Sequence, residues 1–125
     1  MYSLVLLKPD AVENTMVGDL IGRFERHFSI AGLKWVKMNT DLCKKHYREH
    51  VGKDFYPGLE KFMTSGPTVA LAMEGDVSLV RRLGMMLRIE FNPDYAGGPR
   101  NLIHASDGPE SAAREIALWF PELVS

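Results

Sequence analysis

Residues 3–7, Ser3-Leu4-Val5-Leu6-Leu7, form an apolar run that stops at Lys8-Pro9-Asp10. A run this short, closed by a turn signal, reads as a buried strand. Beyond it, Val17, Leu20, Ile21, Phe24 and Phe28 recur at helical spacing, with Arg23, Glu25 and Arg26 mainly on the opposite face. Residues 29–38 read as a second strand through Leu33, Trp35, Val36 and Met38. Two short helices are expected over 40–50 and 57–64, with Thr40 or Asp41 capping the first. Gly66-Pro67 breaks the chain before a third strand from Thr68 to Met73. A helix from Val77 to Leu83 then ends near Gly84, a C′-type residue. Over 85–100 the signals conflict: Leu87 to Phe91 reads as a strand, whereas Asn92-Pro93-Asp94 and Gly97-Gly98-Pro99 are loop signals. A short strand around Leu102-Ile103-His104 follows. The last helix starts after Asp107-Gly108, carries Pro109 near its first position and runs through Ala112, Ile116, Trp119 and Phe120 until Pro121. The order βα β αα β α β α points to an α+β sandwich. Its natural plan is ferredoxin-like, a four-stranded, mostly antiparallel sheet covered by helices.

The 125 residues leave room for one domain, spanning 1–125. Hydrophobic residues at 46% and charged residues at 25% are a globular balance, which excludes a disordered tail, a collagen and a coiled coil. Apolar runs such as Leu4 to Leu7 and Val69 to Met73 are too short to span a bilayer. Lys8, Pro9 and Asp10 interrupt the apolar start before a signal peptide could form. A net charge of −1 gives no bulk reason to bind nucleic acid. The one cysteine, Cys43, has no intrachain partner, as expected in a reducing cytoplasm.

Several common signatures are missing: there is no GxxxxGK[ST], GxGxxG or GxSxG. His46-Tyr47-Arg48-Glu49-His50 spells the inverted zinc-protease pattern HxxEH. Lys44, Lys45 and Arg48 would oppose a bound Zn²⁺, so a polar helix face is the favoured reading. His104 lies at a junction between the apolar Leu102-Ile103 and the polar Ser106-Asp107-Gly108 that opens a helix. Such junctions hold a side chain rigidly beside a cleft, and the helix N-terminus favours anions. Glu115 on that helix could hold one imidazole nitrogen and leave the other free to attack. Taken alone, a histidine in such a loop is more often structural.

Four segments, in order along the chain, resemble the nucleoside diphosphate kinase family. They are Leu4-Val5-Leu6-Leu7-Lys8-Pro9-Asp10-Ala11-Val12, His46 to His50, Phe62-Met63-Thr64-Ser65-Gly66-Pro67 and Asn101-Leu102-Ile103-His104-Ala105-Ser106-Asp107. The resemblance covers residues 3–84 and 101–120, and its N-x-x-H-x-S-D segment is highly specific. It implies ping-pong phosphoryl transfer: a nucleoside triphosphate, usually ATP, gives its γ-phosphate to His104, and the phosphohistidine rephosphorylates a nucleoside diphosphate. By the same resemblance Lys8 and Tyr47 act on the transferring phosphoryl, and Ser106 and Glu115 support the histidine. Phe55 stacks on the base beside Leu59, and Asn101 binds near the ribose 3′-hydroxyl. Mg²⁺ is carried mainly by the nucleotide phosphates. The bland readings are a half-buried core aromatic for Tyr47, a solvated strand end for Lys8, and helix packing for Phe55 and Leu59.

The match weakens beyond Gly84. Val77-x-x-Val80-Arg81-Arg82-Leu83-Gly84 aligns with the helix that supplies the first phosphate arginine, favouring Arg81 over Arg82. The family's T-N-P…P-G-T-I-R-G-D stretch is not present as such. Laying Met86 to Phe91 over T-I-R-G-D-F makes Arg88 the second arginine; if Asn92-Pro93 answers T-N-P instead, Arg100 stands in. The family's phosphate-binding threonine has no counterpart, because Met85 or Met86 occupies its place and cannot donate a hydrogen bond. The chain is therefore expected to be a short member, with the shortening between Gly84 and Asn101. An active kinase that forms a homo-oligomer with altered packing is the favoured expectation. A non-catalytic nucleotide-binding or scaffold relative is the alternative, and a ligand-sensing regulatory domain a weaker one.

Overall fold

A computed structural model describes residues 1–124. Four strands, β1 (Tyr2–Leu7), β2 (Ser29–Val36), β3 (Thr68–Glu74) and β4 (Ile103–Ala105), form one sheet in the order β2-β3-β1-β4. Every neighbouring pair is antiparallel. This is the ferredoxin-like α+β arrangement that the element order implies.

The continuous apolar character of β1 follows from burial on both faces. Leu4 and Leu6 pack with Cys43, Met63, Ile116 and Trp119 in one cluster. Val5 and Leu7 pack with Leu20, Phe24, Val80 and Leu87 in the other. Successive strand residues point to opposite faces, so one run serves two helical layers. The first layer comprises α3 (Thr40–His46), α4 (Tyr56–Met63) and α6 (Pro109–Trp119); the second holds α2 (Val17–Glu25) and α5 (Val77–Phe91).

The structure corrects five expectations about these elements. Lys8-Pro9-Asp10 is not a bare turn: Pro9 opens a one-turn helix, α1 (Pro9–Glu13), where its missing N–H costs nothing. Helix α3 stops at His46 instead of reaching residue 50, and Asn39, not Thr40 or Asp41, caps it by accepting from the Leu42 N–H at 2.8 Å. Gly84 does not end a helix. It lies within α5, where a Cβ would sit 3.4 Å from the Ala105 Cβ and 3.7 Å from Ile103 Cγ2, so the missing side chain lets β4 approach the helix. Leu87 to Phe91 continue that helix; Leu87 is buried against the sheet, and Pro93 follows just beyond the Asn92 C-cap.

Candidate active site

Strand β4 is only three residues long, and the chain around it is held from several sides. Leu102 has φ +73°, a left-handed backbone that disfavours a branched side chain. Its N–H donates to Asp10 Oδ2 at 3.0 Å and its carbonyl accepts from the Lys8 N–H at 2.8 Å. Just past the strand, the Ser106 N–H donates to the Leu4 carbonyl at 3.0 Å, and Ser106 Oγ accepts from the Leu4 N–H at 3.0 Å. The hydroxyl thus adds a rung to the β1–β4 ladder where the strand itself has ended. His104 sits between these two anchored points, facing β1 in register with Leu6.

The His104 ring is oriented from α6. Its Nε2 lies 2.9 Å from Glu115 Oε1, and the same oxygen accepts from Ser106 Oγ at 2.7 Å. Glu115 and Ser106 are buried, while the His104 side chain keeps 19% exposure. A carboxylate accepts, so Nε2 carries the proton and the lone pair falls on Nδ1. Nδ1 has no protein partner among the described residues. The local geometry therefore presents one unprotonated ring nitrogen from an anchored imidazole.

His104 opens onto a cleft of about 620 Å³ whose walls include Tyr47, Arg81, Arg88, Arg114 and the Gly108–Pro109 start of α6. The Arg88 guanidinium donates from Nε to the Ile103 carbonyl at 2.7 Å, with a second bond from Nη2, and the Arg81 Nη1 reaches the Ala105 carbonyl at 3.4 Å. Both arginines thus clamp β4 on either side of His104. Burial lowers the Arg88 pKa, and the neighbouring Arg81 adds to the effect. The Tyr47 hydroxyl is buried without a partner, and burial raises its pKa far above the ordinary phenol range, so it stays a neutral donor. Arg82 is exposed and absent from the cleft wall; Arg100 pairs with Glu13 at 3.6 Å and lies over the Phe62 ring.

Other residues singled out in the sequence stand beside this cleft without lining it. Lys8 is buried at the end of β1, with Nζ 2.8 Å from Asn101 Oδ1. Burial, helped by the Arg88 charge, brings the Lys8 pKa down to about 8. Phe55 precedes α4 with 55% of its surface exposed, its ring 5.4 Å from that of His50. Leu59, one turn further on, belongs to the core. The HxxEH pattern does not make a helical histidine pair: α3 ends at His46, and His50 instead meets Lys53 Nζ.

Sequence reading missed three participants. Asp10 holds Leu102, but its spelling in Lys8-Pro9-Asp10 looks like any turn. Burial raises the Asp10 pKa, and its Oδ1 is buried without a partner. Arg114 donates to the Lys45 and His46 carbonyls at the end of α3, tying that helix to α6. His46 accepts at Nδ1 from the Trp119 indole at 3.0 Å, across 73 positions of sequence. Among the described residues, His46, His104 and Glu115 are the one group of three with metal-ligand atoms close together. Within it His46 Nδ1, His104 Nε2 and Glu115 Oε1 are taken up by the Trp119, Glu115 and Ser106 hydrogen bonds, which leaves His46 Nε2 and His104 Nδ1 as its free ring nitrogens.

The family model described as nucleoside diphosphate kinase matches residues 2–124. A nucleoside diphosphate kinase of Cutibacterium acnes is 46% identical, the match covering 98% of this chain and 96% of the relative. That alignment runs to 132 positions, more than the 125 residues here, so the relative carries residues that this chain lacks. One from Methanocaldococcus jannaschii is 42% identical over 96% of this chain and 93% of its own length. Among solved structures, the Aquifex aeolicus nucleoside diphosphate kinase superposes with a TM-score of 0.84 at 32% identity, covering 98% of this chain and 96% of that one. A halophilic nucleoside diphosphate kinase from Halobacterium salinarum, in complex with CDP, gives 0.82 at 33% identity, covering 96% and 87%. Near-complete coverage in sequence and in fold, around a His104 ring held by the buried Glu115 and Ser106, leads to one conclusion: the chain belongs to the nucleoside diphosphate kinase family.

Proposed function

We propose that this chain moves the γ-phosphate of ATP, or of another nucleoside triphosphate, to a nucleoside diphosphate through a phosphohistidine at His104. The observation that carries the reading is the 2.9 Å contact of His104 Nε2 with Glu115 Oε1, which leaves Nδ1 as the acceptor nitrogen of a ring that opens onto an arginine-walled cleft. The Nδ1 lone pair forms a bond to the γ-phosphorus as the bond to the β-phosphate oxygen breaks, and the electron pair leaves on the diphosphate. Glu115 stabilises the positive charge that the ring gains, with Ser106 steadying the carboxylate. The diphosphate departs, a second one enters, and the same step runs in reverse.

Arg81, Arg88 and Lys8 offset phosphate charge, and the Tyr47 hydroxyl donates to an oxygen near the transferring group. Phe55 offers its exposed ring to the base with Leu59 behind it, a contact that tolerates every base. Asn101, already bonded to Lys8, receives the sugar hydroxyl. Mg²⁺ fits this set as an ion held by phosphate oxygens and water, since it prefers oxygen ligands and the nearby three-residue cluster is mainly imidazole. When bound it neutralises charge on the phosphates.

Residues 1–125 act as one catalytic unit in this reading. Among the described residues no helix is long and apolar enough to cross a membrane, and a cytoplasmic location suits the nucleotide substrates and the lone, buried Cys43. A homo-oligomer is supported by β2, which among the described residues pairs only with β3 and exposes Leu33 and Trp35 at 52% and 62%. Native mass showing a monomer at working concentration would reject that part alone. Isotope exchange tests the mechanism: labelled ADP should exchange into ATP with no second nucleotide present, and initial-rate plots should be parallel. Absent exchange with converging plots would reject a covalent intermediate.

A further inference from the structure

The phosphoryl transfer proposed above uses His104 and leaves its neighbour His46 without a part. The two rings meet edge to face with centroids 4.8 Å apart, and His46 makes a second edge contact with Tyr47 at 4.6 Å. One His46 nitrogen lies within 4.8 Å of ligand atoms of both His104 and Glu115. Two imidazoles therefore stand at the same cleft, and a phosphoryl group or a proton could in principle be taken by either.

Trp119 distinguishes them. Its indole N–H donates to His46 Nδ1 at 3.0 Å between two buried side chains. An indole has no lone pair to offer, so the Nδ1 it faces must be unprotonated. The His46 proton then sits on Nε2, and an imidazolium would set two N–H groups against each other. We infer that Trp119 locks His46 in the neutral Nε2–H form, which makes His46 a positioning residue that seats the His104 and Tyr47 rings while it cannot itself serve as nucleophile or base.

The charges around His46 act in the same direction. Burial holds its pKa well below 6.5, with His104 from β4, Arg114 from α6, Lys8 from the end of β1 and His50 adding to the effect. The acid facing this group is Glu115 on α6, whose Oε1 is already shared by His104 and Ser106. Tyr47 faces it as a neutral phenol. The kinetic consequence rests on His104 being the phosphoryl acceptor; the tautomer does not.

Nitrogen-15 NMR of the imidazoles in the intact protein tests the lock directly. Between about pH 5 and 8, where an ordinary histidine titrates, His46 should keep the Nε2–H pattern without titrating. In Trp119→Phe the tautomer lock is lost: burial and the neighbouring charges still keep His46 neutral over this range, but it should populate the Nδ1–H form beside the Nε2–H form. With His46 free to change tautomer beside His104 and Tyr47, kcat/KM should fall at every pH in that range. A wild-type His46 that titrates near neutrality, or that carries its proton on Nδ1, overturns the inference, whether or not the variant folds. So does a folded Trp119→Phe in which His46 keeps the pure Nε2–H pattern. Failure of the kinase reading would leave the wild-type NMR result standing, so the two are separable.

Discussion

Replacing Ser106 with alanine removes one oxygen that serves both the fold and the site. Ser106 Oγ accepts from the buried Leu4 N–H at 3.0 Å and donates to Glu115 Oε1 at 2.7 Å. Alanine leaves the Leu4 N–H without a partner, which costs about 1–3 kcal/mol, and deprives a buried carboxylate of one donor, worth about 1.5–3 kcal/mol. These terms share a site and partly relax together, so the net loss should be about 3 kcal/mol. For a chain of this size that corresponds to a fall in Tm of about 10–15 °C. Urea unfolding followed by far-UV circular dichroism measures it, with the exposed Ser29→Ala as a control expected within about 0.5 kcal/mol of wild type. Turnover should also fall, because Glu115 loses the bond that aims it at His104. A Ser106→Ala protein within about 0.5 kcal/mol of wild type, with unchanged kcat, would refute the argument that this hydroxyl extends the ladder and steadies the carboxylate.

Lys8 sets an alkaline limit. With its pKa brought down to about 8 by burial, the free enzyme should lose kcat/KM above that pH, and Lys8→Arg should move the limb upward. The stability effect has a defined sign: the unfolded chain binds more protons at this position from about pH 8 to 10.5, so unfolding free energy should rise through that window, more in wild type than in Lys8→Met. Phe55→Ala should raise KM for adenine, guanine, cytosine and uracil diphosphates alike, by about 5- to 150-fold if stacking contributes about 1–3 kcal/mol, while thermal unfolding barely changes. Gly84→Val places new methyls against Ala105 and Ile103, so it should cost about 1–3 kcal/mol in urea unfolding and reduce turnover by displacing β4.

What could be read from the sequence divides by the range of the interaction. The Leu4–Leu7 strand, the Val17–Phe28 periodicity and the Pro109 helix start are local signals, and the sheet and its covering helices follow from them. Residues 85–91 defeated local reading because Gly84 looks like a helix stop. Its actual role, making room for Ala105 and Ile103, depends on a contact made across the fold. Arg88 was reached through a resemblance and not through its true helical setting, yet it bonds the Ile103 carbonyl beside His104. Glu115 was legible because it lies a few turns after His104 on a recognisable helix. Asp10 and Leu102, and likewise Trp119 and His46, are joined across long stretches of chain by single hydrogen bonds that no spacing rule encodes.

The central claim is that His104 is the atom's-length stop between one nucleotide and the next. The direct test is brief incubation with γ-labelled ATP and no acceptor, followed by acid and base treatment and mapping of the labelled peptide. The account predicts stoichiometric label that is acid-labile and base-stable, located on His104, discharged by added nucleoside diphosphate and absent from His104→Ala. Label that persists in His104→Ala, or a wild-type protein that never acquires it, would contradict the account.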